Sequence, residues 1–340
     1  MTYKIAVLPG EGIGEDVAPE SIKVLKELPI DFEFVHGDIG YETYQKSGIA
    51  LPDKTVELVK NSDSALFGAV TTPPNIPGYK SPIVTLRKRL NLYANVRPCK
   101  TFPTSISREG IDIIVVRENT EGLYSGIERV EDGGNRVITE RVFTKTGCER
   151  IIRYGLELAK KNGRKKATFV HKANVMRETC GMFLRMSQEI SKEYPEIEYD
   201  ERIVDAMTMQ LIKNPEIFDV IITTNMFGDI LSDECSMLVG GLGLAYSGNI
   251  GDNNFGVYEP VHGSAPKYAG KNVANATAMI LAAKFMLQNL GEVKYAKIIE
   301  DSVLKTISEG KTTKDLGGTL STTDMTDVII GNMRTLLNKG

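Results

Sequence analysis

Short apolar runs alternate with amphipathic stretches along almost the whole chain. Six apolar runs, each bounded by glycine, asparagine or charged residues, predict buried β-strands at 3–9, 32–37, 65–70, 111–119, 167–172 and 218–225. Apolar residues at helical spacing predict helices at 15–28, 54–61, 148–160, 177–193 and 276–289. This alternation predicts an α/β protein with a largely parallel central sheet.

Three stretches rich in glycine, proline and polar residues interrupt this pattern. Residues 71–82 (TTPPNIPGYKSP) hold too much proline and glycine for regular structure and therefore predict a long loop. Loops of this length in compact domains are often functional. Residues 125–136 predict a hairpin or an arm, and residues 239–275 form the third polar stretch.

Composition narrows the class of protein. A chain of 340 residues accommodates one large domain or two of ordinary size, and 41% hydrophobic residues are typical of a globular protein with a substantial core. The net charge of −3 gives no electrostatic reason to expect nucleic-acid binding. No apolar run approaches the roughly 18 residues that cross a bilayer, and the N-terminal sequence lacks the features of a signal peptide. We therefore expect a cytoplasmic protein without a membrane partner.

The four cysteines and three histidines are scattered, with no CxxC pair, and do not form a metal-binding pattern. Asp229 and Asp233, in contrast, stand four residues apart after the predicted strand 218–225, where a helix places both carboxylates on one face. Like charges at this spacing repel each other unless a cation lies between them, and carboxylate ligands favour Mg²⁺ or Mn²⁺. The alternative is two solvated acids on an exposed helix, an interpretation that the adjacent Glu234 supports.

A glycine-rich turn follows the first predicted strand. Gly10, Gly12 and Gly14 resemble a dinucleotide-binding loop, and Glu33 lies near the distance at which such folds place a ribose-binding acid. The third glycine, however, comes one position earlier than the G-x-G-x-x-G pattern requires. Two interpretations remain: a phosphate-binding loop of a Rossmann dehydrogenase that needs no metal, or an ordinary strand-to-helix turn.

Basic and phenolic side chains stand at the ends of several predicted elements. Arg87 and Arg97 flank the segment LRKRLNLYANVRP, and Arg117 ends an apolar run. Three guanidinium groups in such places predict a substrate with two or more carboxylates, although each alone is also typical of a surface ion pair. Tyr124 and Lys172 follow predicted strands, and a lysine in a polar site acts as a general base when desolvation or a nearby cation lowers its pKa.

Together these segments resemble the isocitrate, homoisocitrate and 3-isopropylmalate dehydrogenase family of β-decarboxylating dehydrogenases. The matching segments are GEGIGEDV, LRKRLNLYANVRP, VRENTEGLYSG, HKANVM, TTNMFGDILSDE, GGLGLAYSGNIG and EPVHGSAPKYAGK. The resemblance implies a two-domain α/β fold with a mostly parallel sheet that is not a standard Rossmann fold. It assigns cofactor binding to a large discontinuous domain, residues 1–95 plus 245–340, and the metal site and dimer interface to a small domain, residues 96–244. It also implies a homodimer whose active sites, each in the cleft between the domains, are shared between subunits.

The resemblance gives roles to the residues already singled out. Substrate carboxylates would be bound by Arg87, Arg97 and Arg117. The metal would be held by Asp229 and Asp233, with Asp205 supplied by the partner subunit. Lys172 would also reach across the dimer as the base that takes the hydroxyl proton, and Tyr124 would protonate the enolate left by decarboxylation. The Gly10–Gly14 turn would then bind no phosphate.

The family's cofactor-binding residues map onto one loop and two further positions. They are His262, Gly263, Ser264, Ala265, Pro266, Lys267 and Tyr268, with Asn275 at the adenine and Thr72 near the nicotinamide. NAD-linked members usually carry aspartate where this chain has Lys267, whereas a lysine followed by a tyrosine resembles NADP-linked isocitrate dehydrogenases. The resemblance therefore favours NADP. NAD remains the alternative, because a further tyrosine and arginine of the NADP-linked enzymes are not evident around 303–318.

The helix that begins after Ser81 carries the substrate specificity of the family. Ser81 matches the serine that binds the extra carboxylate of isocitrate, but Ile83 and Val84 depart from the isocitrate and homoisocitrate patterns, and YKSPI-x-TLR also resembles archaeal homoisocitrate enzymes. The favoured prediction is NADP-linked conversion of isocitrate to 2-oxoglutarate. The alternatives are a homoisocitrate dehydrogenase and an NAD-linked 3-isopropylmalate dehydrogenase. A non-enzymatic regulatory subunit of a hetero-oligomeric isocitrate dehydrogenase is a further alternative, and the retained lysine, tyrosine and aspartates argue against it.

Overall fold

The computed structural model describes residues 2–76 and 78–338. The chain divides into two compact units. The first unit contains the chain up to Leu90, the short segment Phe102–Ser107 and everything from Gly240 onward, and the second contains 91–101 and 108–239. The assignment of cofactor binding to one domain and of the metal and dimer contacts to the other stays a prediction.

In the described residues the first unit contributes five strands, which lie in the order β2-β1-β3-β12-β11. They are β1 (Thr2–Gly10), β2 (Asp31–His36), β3 (Ser64–Ala69), β11 (Tyr246–Ile250) and β12 (Gly256–Pro260). Only the pairing of β11 with β12 is antiparallel. Because parallel neighbours need crossover connections, helices cover this part of the sheet.

Seven α-helices belong to the first unit in the described residues. They are α1 (Gly14–Leu25), α2 (Tyr41–Ser47), α3 (Asp53–Lys60), α4 (Pro82–Arg89), α9 (Thr277–Asn289), α10 (Val293–Ser308) and α11 (Thr322–Leu337). Helix α9 packs against β11, β12, α1 and α10, so it is buried on nearly every side. Its range confirms the helix predicted at 276–289.

The second unit contributes five strands in the order β4-β5-β10-β8-β9 and a separate two-stranded hairpin. The strands are β4 (Ala94–Lys100), β5 (Asp112–Glu118), β8 (Lys166–His171), β9 (Glu198–Ile203) and β10 (Val220–Thr223), and the hairpin is β6 (Glu128–Glu131) with β7 (Arg136–Thr139). Only β4, beside β5, runs antiparallel among the five. The hairpin overlaps the stretch 125–136 predicted as a hairpin or arm but continues to Thr139, and its Val130 and Val137 are exposed.

Four helices complete the second unit in the described part of the chain. They are α5 (Lys145–Lys161), α6 (Thr179–Ile190), α7 (Val204–Lys213) and α8 (Asn225–Leu238). Leu231 and Cys235 of α8 pack into an apolar cluster with Ile113, Val115 and Ile221 of the neighbouring strands. Burial of this face fixes the rotation of α8 and so decides which of its side chains point elsewhere.

These strand orders confirm the α/β prediction with mostly parallel strands and exclude the Rossmann order 3-2-1-4-5-6. All four cysteines are buried and free. Within residues 2–76 and 78–338, no helix combines the length and apolarity needed to span a membrane.

Candidate active site

Two acids project from α8 close to the carboxyl end of a parallel strand. β10 ends at Thr223 and α8 begins at Asn225, so Asp229 and Asp233 follow the strand within three turns of helix. They lie one turn apart on the face turned away from Leu231, with 36% and 57% of their side chains exposed. The carboxyl ends of strands are where open α/β sheets bind ligands.

Two buried arginines bind these acids. Arg97 of β4 donates from Nη1 to Asp233 Oδ1 at 2.8 Å and from Nη2 to Asp229 Oδ1 at 3.0 Å. Arg117 at the end of β5 donates from Nη1 to the same Asp229 oxygen. Both guanidinium groups are almost fully buried, and a buried cation of this kind is stable only with an anionic partner. The arginines and the acids predicted from separate segments therefore form one cluster.

Side-chain amides and one glycine fix the orientation of the arginines. Arg97 Nε donates to Asn95 Oδ1 at 2.8 Å, and Arg117 donates from Nε and Nη2 to Asn225 Oδ1 at 3.0 and 2.8 Å. A Cβ atom added at Gly228 would lie 2.6 Å from the Arg117 side chain. Only glycine lets α8 approach Arg117 this closely, so Gly228 belongs to the geometry of the cluster.

Tyr124 joins the same cluster. Its hydroxyl donates to Asp229 Oδ2 at 2.5 Å, and the Arg117 guanidinium carbon lies 5.0 Å from the centre of its ring. Burial, followed by the hydrogen bond to Asp229, raises the pKa of the Tyr124 phenol above its ordinary value of 10.0. The phenol therefore keeps its proton at neutral pH and remains a proton donor.

Lys172 and Asp205 form a separate pair. Lys172 follows β8, Asp205 lies in the first turn of α7, and Nζ is 2.5 Å from Asp205 Oδ1. The hydrogen bond from Lys172 lowers the pKa of the Asp205 carboxyl. The described residues contain no group of three or more histidine, cysteine, aspartate or glutamate side chains placed to hold a metal ion. Within one chain, the predicted metal set is thus limited to Asp229 and Asp233.

Arg87 and Ser81 lie at α4 in the first unit. Arg87 Nη2 donates to Glu259 Oε1 of β12 at 2.6 Å, and both side chains are buried. Its Nε is buried and has no hydrogen-bond partner in the part of the chain that the structure describes. Ser81 immediately precedes α4, and its side chain is half-buried. Arg87 therefore keeps one donor available for a ligand that the protein does not itself provide.

The predicted cofactor loop contains a strained residue and an unsatisfied histidine. Ala265 adopts φ +38°, a conformation that non-glycine residues rarely take outside functional sites. His262 Nε2 is buried and without a hydrogen-bond partner among the described residues, and burial lowers the pKa of this imidazole. A neutral imidazole with a free nitrogen suits a polar ligand such as a nucleotide, so the loop fits the predicted cofactor.

The remaining cofactor residues are mostly exposed. Lys267 Nζ lies 4.7 Å from the centre of the Tyr268 ring, and both side chains project into solvent. Asn275 donates to Asp315 Oδ2 at 3.0 Å and accepts the backbone N–H of Thr277 at 2.9 Å, which fixes its amide before α9. Thr72 is exposed at the start of the long loop.

Comparison with known proteins assigns this arrangement to a family. The family model described as isocitrate/isopropylmalate dehydrogenase matches residues 4–329. The chain belongs to the isocitrate/isopropylmalate dehydrogenase family. It is 49% identical to homoisocitrate dehydrogenase of Methanocaldococcus jannaschii over 97% of this chain and 98% of that protein. It is also 49% identical to 3-isopropylmalate dehydrogenase of Archaeoglobus fulgidus, over 96% of this chain and 98% of that one.

The fold agrees with this assignment. The crystal structure of isocitrate dehydrogenase from Methylococcus capsulatus matches with a TM-score of 0.94 and 43% identity, covering 98% of this chain and 99% of that one. The resemblance inferred from sequence motifs is therefore confirmed, as is the isopropylmalate/isocitrate dehydrogenase-like fold. The dehydrogenase is an oxidoreductase for metal-dependent oxidative decarboxylation of a hydroxy acid. These three relatives carry three different substrate names, so similarity alone leaves the hydroxy acid open.

Several polar residues of the dehydrogenase's site were missed by sequence reasoning. Asn95, Asn225 and Glu259 each orient an arginine that was predicted, and Asp315 holds Asn275. The first three stand inside motifs that match the family, where a buried amide or acid beside a strand end was a usable signal. Asp315 lies outside every motif, and nothing in the sequence pattern pointed to it.

The donor set fits a divalent metal. Asp229 and Asp233 offer hard oxygen ligands from one face of a helix, without thiolate or imidazole, which suits Mg²⁺ or Mn²⁺. Partial desolvation raises the pKa of Asp233, and the charge of Asp229 adds to that shift against the opposing Arg97. Two carboxylates this close are stabilised in their charged form by a nearby cation, and in the single chain the arginines provide that positive charge.

Proposed function

We propose that this dehydrogenase converts isocitrate to 2-oxoglutarate with NADP and Mg²⁺ or Mn²⁺. One observation carries the proposal: Asp229 is bonded at once to Arg97, Arg117 and Tyr124. Metal-binding oxygens, guanidinium groups for carboxylates and a proton donor thus share one hydrogen-bond network. That combination suits a polyanionic hydroxy acid that loses a carboxylate.

In the proposed reaction each of these residues has a separate role. Substrate carboxylates replace the aspartates as acceptors for Arg97 and Arg117, while Arg87 offers its unpaired Nε to another carboxylate. A divalent metal, when bound by the aspartates, supplies Lewis-acid polarisation of the substrate oxygen. Lys172 would accept the hydroxyl proton, and NADP⁺, when bound, would serve as the hydride acceptor. Loss of carbon dioxide leaves an enolate. Tyr124 then donates its phenolic proton to the enolate carbon that carried the departed carboxylate.

The choice of NADP rests on Lys267 and Tyr268. An exposed ammonium beside a phenol supplies a charge and a hydrogen-bond donor for the 2′-phosphate of NADP. An aspartate there would instead accept hydrogen bonds from the ribose diol of NAD and repel the phosphate.

Replacing Lys267 with aspartate is expected to lower kcat/KM for NADP relative to NAD by at least about tenfold, because a charge-assisted bond becomes a repulsion. Steady-state kinetics with both nucleotides measures the ratio. Lys271→Asp makes the same charge change four residues further along the same segment and serves as the control. An unchanged ratio in Lys267→Asp would show that the 2′-phosphate is recognised elsewhere.

The choice of isocitrate rests on Ser81, which precedes the helix that carries Arg87. A hydroxyl there provides a donor for a third carboxylate. Homoisocitrate is the second candidate, because the homoisocitrate dehydrogenase relative is 49% identical and Ile83 replaces a polar residue of isocitrate enzymes.

The deciding assay measures nucleotide reduction with isocitrate, homoisocitrate, 3-isopropylmalate and D-malate, each with NAD and NADP. Absence of turnover with all of them by the purified chain would instead favour a regulatory subunit.

Replacing Ser81 with alanine is expected to reduce kcat/KM for isocitrate by about tenfold, since a hydrogen bond to a charged group is lost. Turnover of 3-isopropylmalate, which has no third carboxylate, is the internal control and should not fall. Equal losses for the two substrates would indicate that Ser81 only supports the start of α4.

We also propose that the dehydrogenase is a homodimer whose active sites are shared between subunits. Apolar side chains of α7 and α8 are exposed in the single chain; they include Met209, Ile212, Ile230 and Met237. Exposed apolar patches of this kind mark protein interfaces. A second copy is the natural source of Asp205 and Lys172, because within one chain these residues form a pair of their own.

A further inference from the structure

The glycine-rich turn after β1 has no part in the proposed chemistry, yet it is tightly held. The N–H groups of Glu11, Ile13, Gly14, Glu15 and Asp16 all donate to carbonyl oxygens within the protein. A phosphate-binding loop needs such N–H groups to point at the ligand. The turn therefore has little capacity to bind a phosphate, and its role must be sought in what it contacts.

Glu11 is the central residue of these contacts. Its side chain is almost fully buried, and the two carboxylate oxygens have different partners. Oε1 accepts the N–H of Thr71 at 2.5 Å, and Oε2 accepts the N–H of Glu42 at 2.8 Å. The Glu11 N–H itself donates to Ala69 O at 2.8 Å. Glu11 thereby ties the first residue of the long loop 71–82 to β3 and to the start of α2.

The same turn also holds the predicted cofactor loop. The Ile13 N–H donates to Ser264 O at 2.8 Å, and Ser264 Oγ lies 2.6 Å from Thr71 Oγ1. Gly12 adopts φ +64°, and a Cβ atom there would lie 2.2 Å from Ser264 O. Residues 11–13, Thr71 and Ser264 thus form a closed set of contacts that joins the turn to both loops.

We propose that Glu11 is a positioning residue for nucleotide binding: it holds Thr71 against Ser264 and so fixes the loops that carry Thr72 and His262–Tyr268. This inference rests on the proposed cofactor role of those loops. Glu11 acts through its two acceptor oxygens and does not contact the nucleotide. Glutamine has the same shape but only one acceptor oxygen, so its NH₂ group would face a backbone N–H. A buried donor left without an acceptor costs more than an ordinary hydrogen bond contributes.

The test compares Glu11→Gln with the wild-type protein in the intact full-length chain. Titration with NADPH, followed by its fluorescence, is expected to give a Kd about tenfold higher for the variant. In steady-state assays KM for NADP should rise more than KM for the hydroxy acid. The change in kcat should be the smallest of the three. A residue that only stabilised the fold would lower the melting temperature without this selective change in KM.

Glu42→Gln is the matched control, because it removes a neighbouring exposed charge but leaves the Glu42 N–H that Glu11 binds. Its nucleotide affinity should equal that of the wild type. Thr71→Val is the second variant: it keeps the N–H bonded to Glu11 but removes the link to Ser264. Thr71→Val should also raise the Kd for NADPH. It tests the positioning role in place of Glu11→Gln if that variant does not fold.

Unchanged NADPH affinity in a folded Glu11→Gln protein, or in Thr71→Val when the first variant does not fold, would overturn the inference. Failure of the wild-type chain to bind either nicotinamide nucleotide would refute the proposed function instead. The two failures are therefore distinguishable in the same titration series.

Discussion

Replacing Asp229 with asparagine is expected to lower kcat by about a thousandfold at saturating Mg²⁺. Asp229 is bonded to Arg97, Arg117 and Tyr124 together. Asparagine has nearly the same shape but no charge, so it binds a divalent cation poorly and leaves two buried guanidinium groups with less negative charge. Nucleotide reduction measures kcat, and titration with Mn²⁺ followed by electron paramagnetic resonance measures metal affinity.

Glu234→Gln is the matched control for this variant. Glu234 lies on the same helix, next to Asp233, and its neutralisation should leave both kcat and Mn²⁺ affinity unchanged. Excess chelator should abolish wild-type turnover, and added Mg²⁺ or Mn²⁺ should restore it. Full activity in excess chelator, or in Asp229→Asn, would contradict the metal assignment and favour a metal-free hydroxyacid dehydrogenase.

The apolar pattern located six strands, most of which are buried along nearly their whole length. All six predicted strands overlap a strand of the structure, and the helix at 276–289 corresponds to α9. The pattern missed four strands of the sheet: β4, with Arg97 and Pro98 inside it, β9, whose sequence EYDERI is mostly charged, and the short β11 and β12, which lie in the predicted polar stretch 239–275. In β4 the buried arginine is bonded to Asn95 and to the acids of α8. The acids of α8 stand 132 and 136 residues further along the chain, so local periodicity does not reveal them as partners of a buried strand residue.

The candidate site shows the same division between local and tertiary information. The four-residue spacing of Asp229 and Asp233 was readable because a helix alone brings them together. Arg97, Arg117 and Tyr124 meet at Asp229 because β4, β5 and β10 are neighbours in the sheet, an order that the sequence pattern did not reveal. Asn225 was missed for a related reason: its amide has a role only because β5 and β10 are adjacent.

Lys172 and Asp205 are the two residues of the proposed site that we expect a second subunit to supply. They form their own ion pair in the second unit, and the described residues group no third acidic, histidine or cysteine side chain with Asp229 and Asp233. If subunits share sites as proposed, each site combines Asp229 and Asp233 of one chain with Lys172 and Asp205 of another. Homodimers of Lys172→Met and homodimers of Asp229→Asn should then both be inactive, because both active sites of such a homodimer lack the same essential group.

A heterodimer of these two variants is expected to recover about half of wild-type activity, since one of its two sites then contains both Asp229 and Lys172. The chains are co-expressed with different affinity tags, purified through both, and assayed by nucleotide reduction. A heterodimer of Asp229→Asn with Asp233→Asn provides the control, because every site in it lacks one of two ligands from the same chain, and it should stay inactive. If Lys172 served the site of its own chain, both sites of the first heterodimer would remain defective. Absence of recovery in a folded heterodimer would therefore refute the shared site while leaving the metal assignment intact.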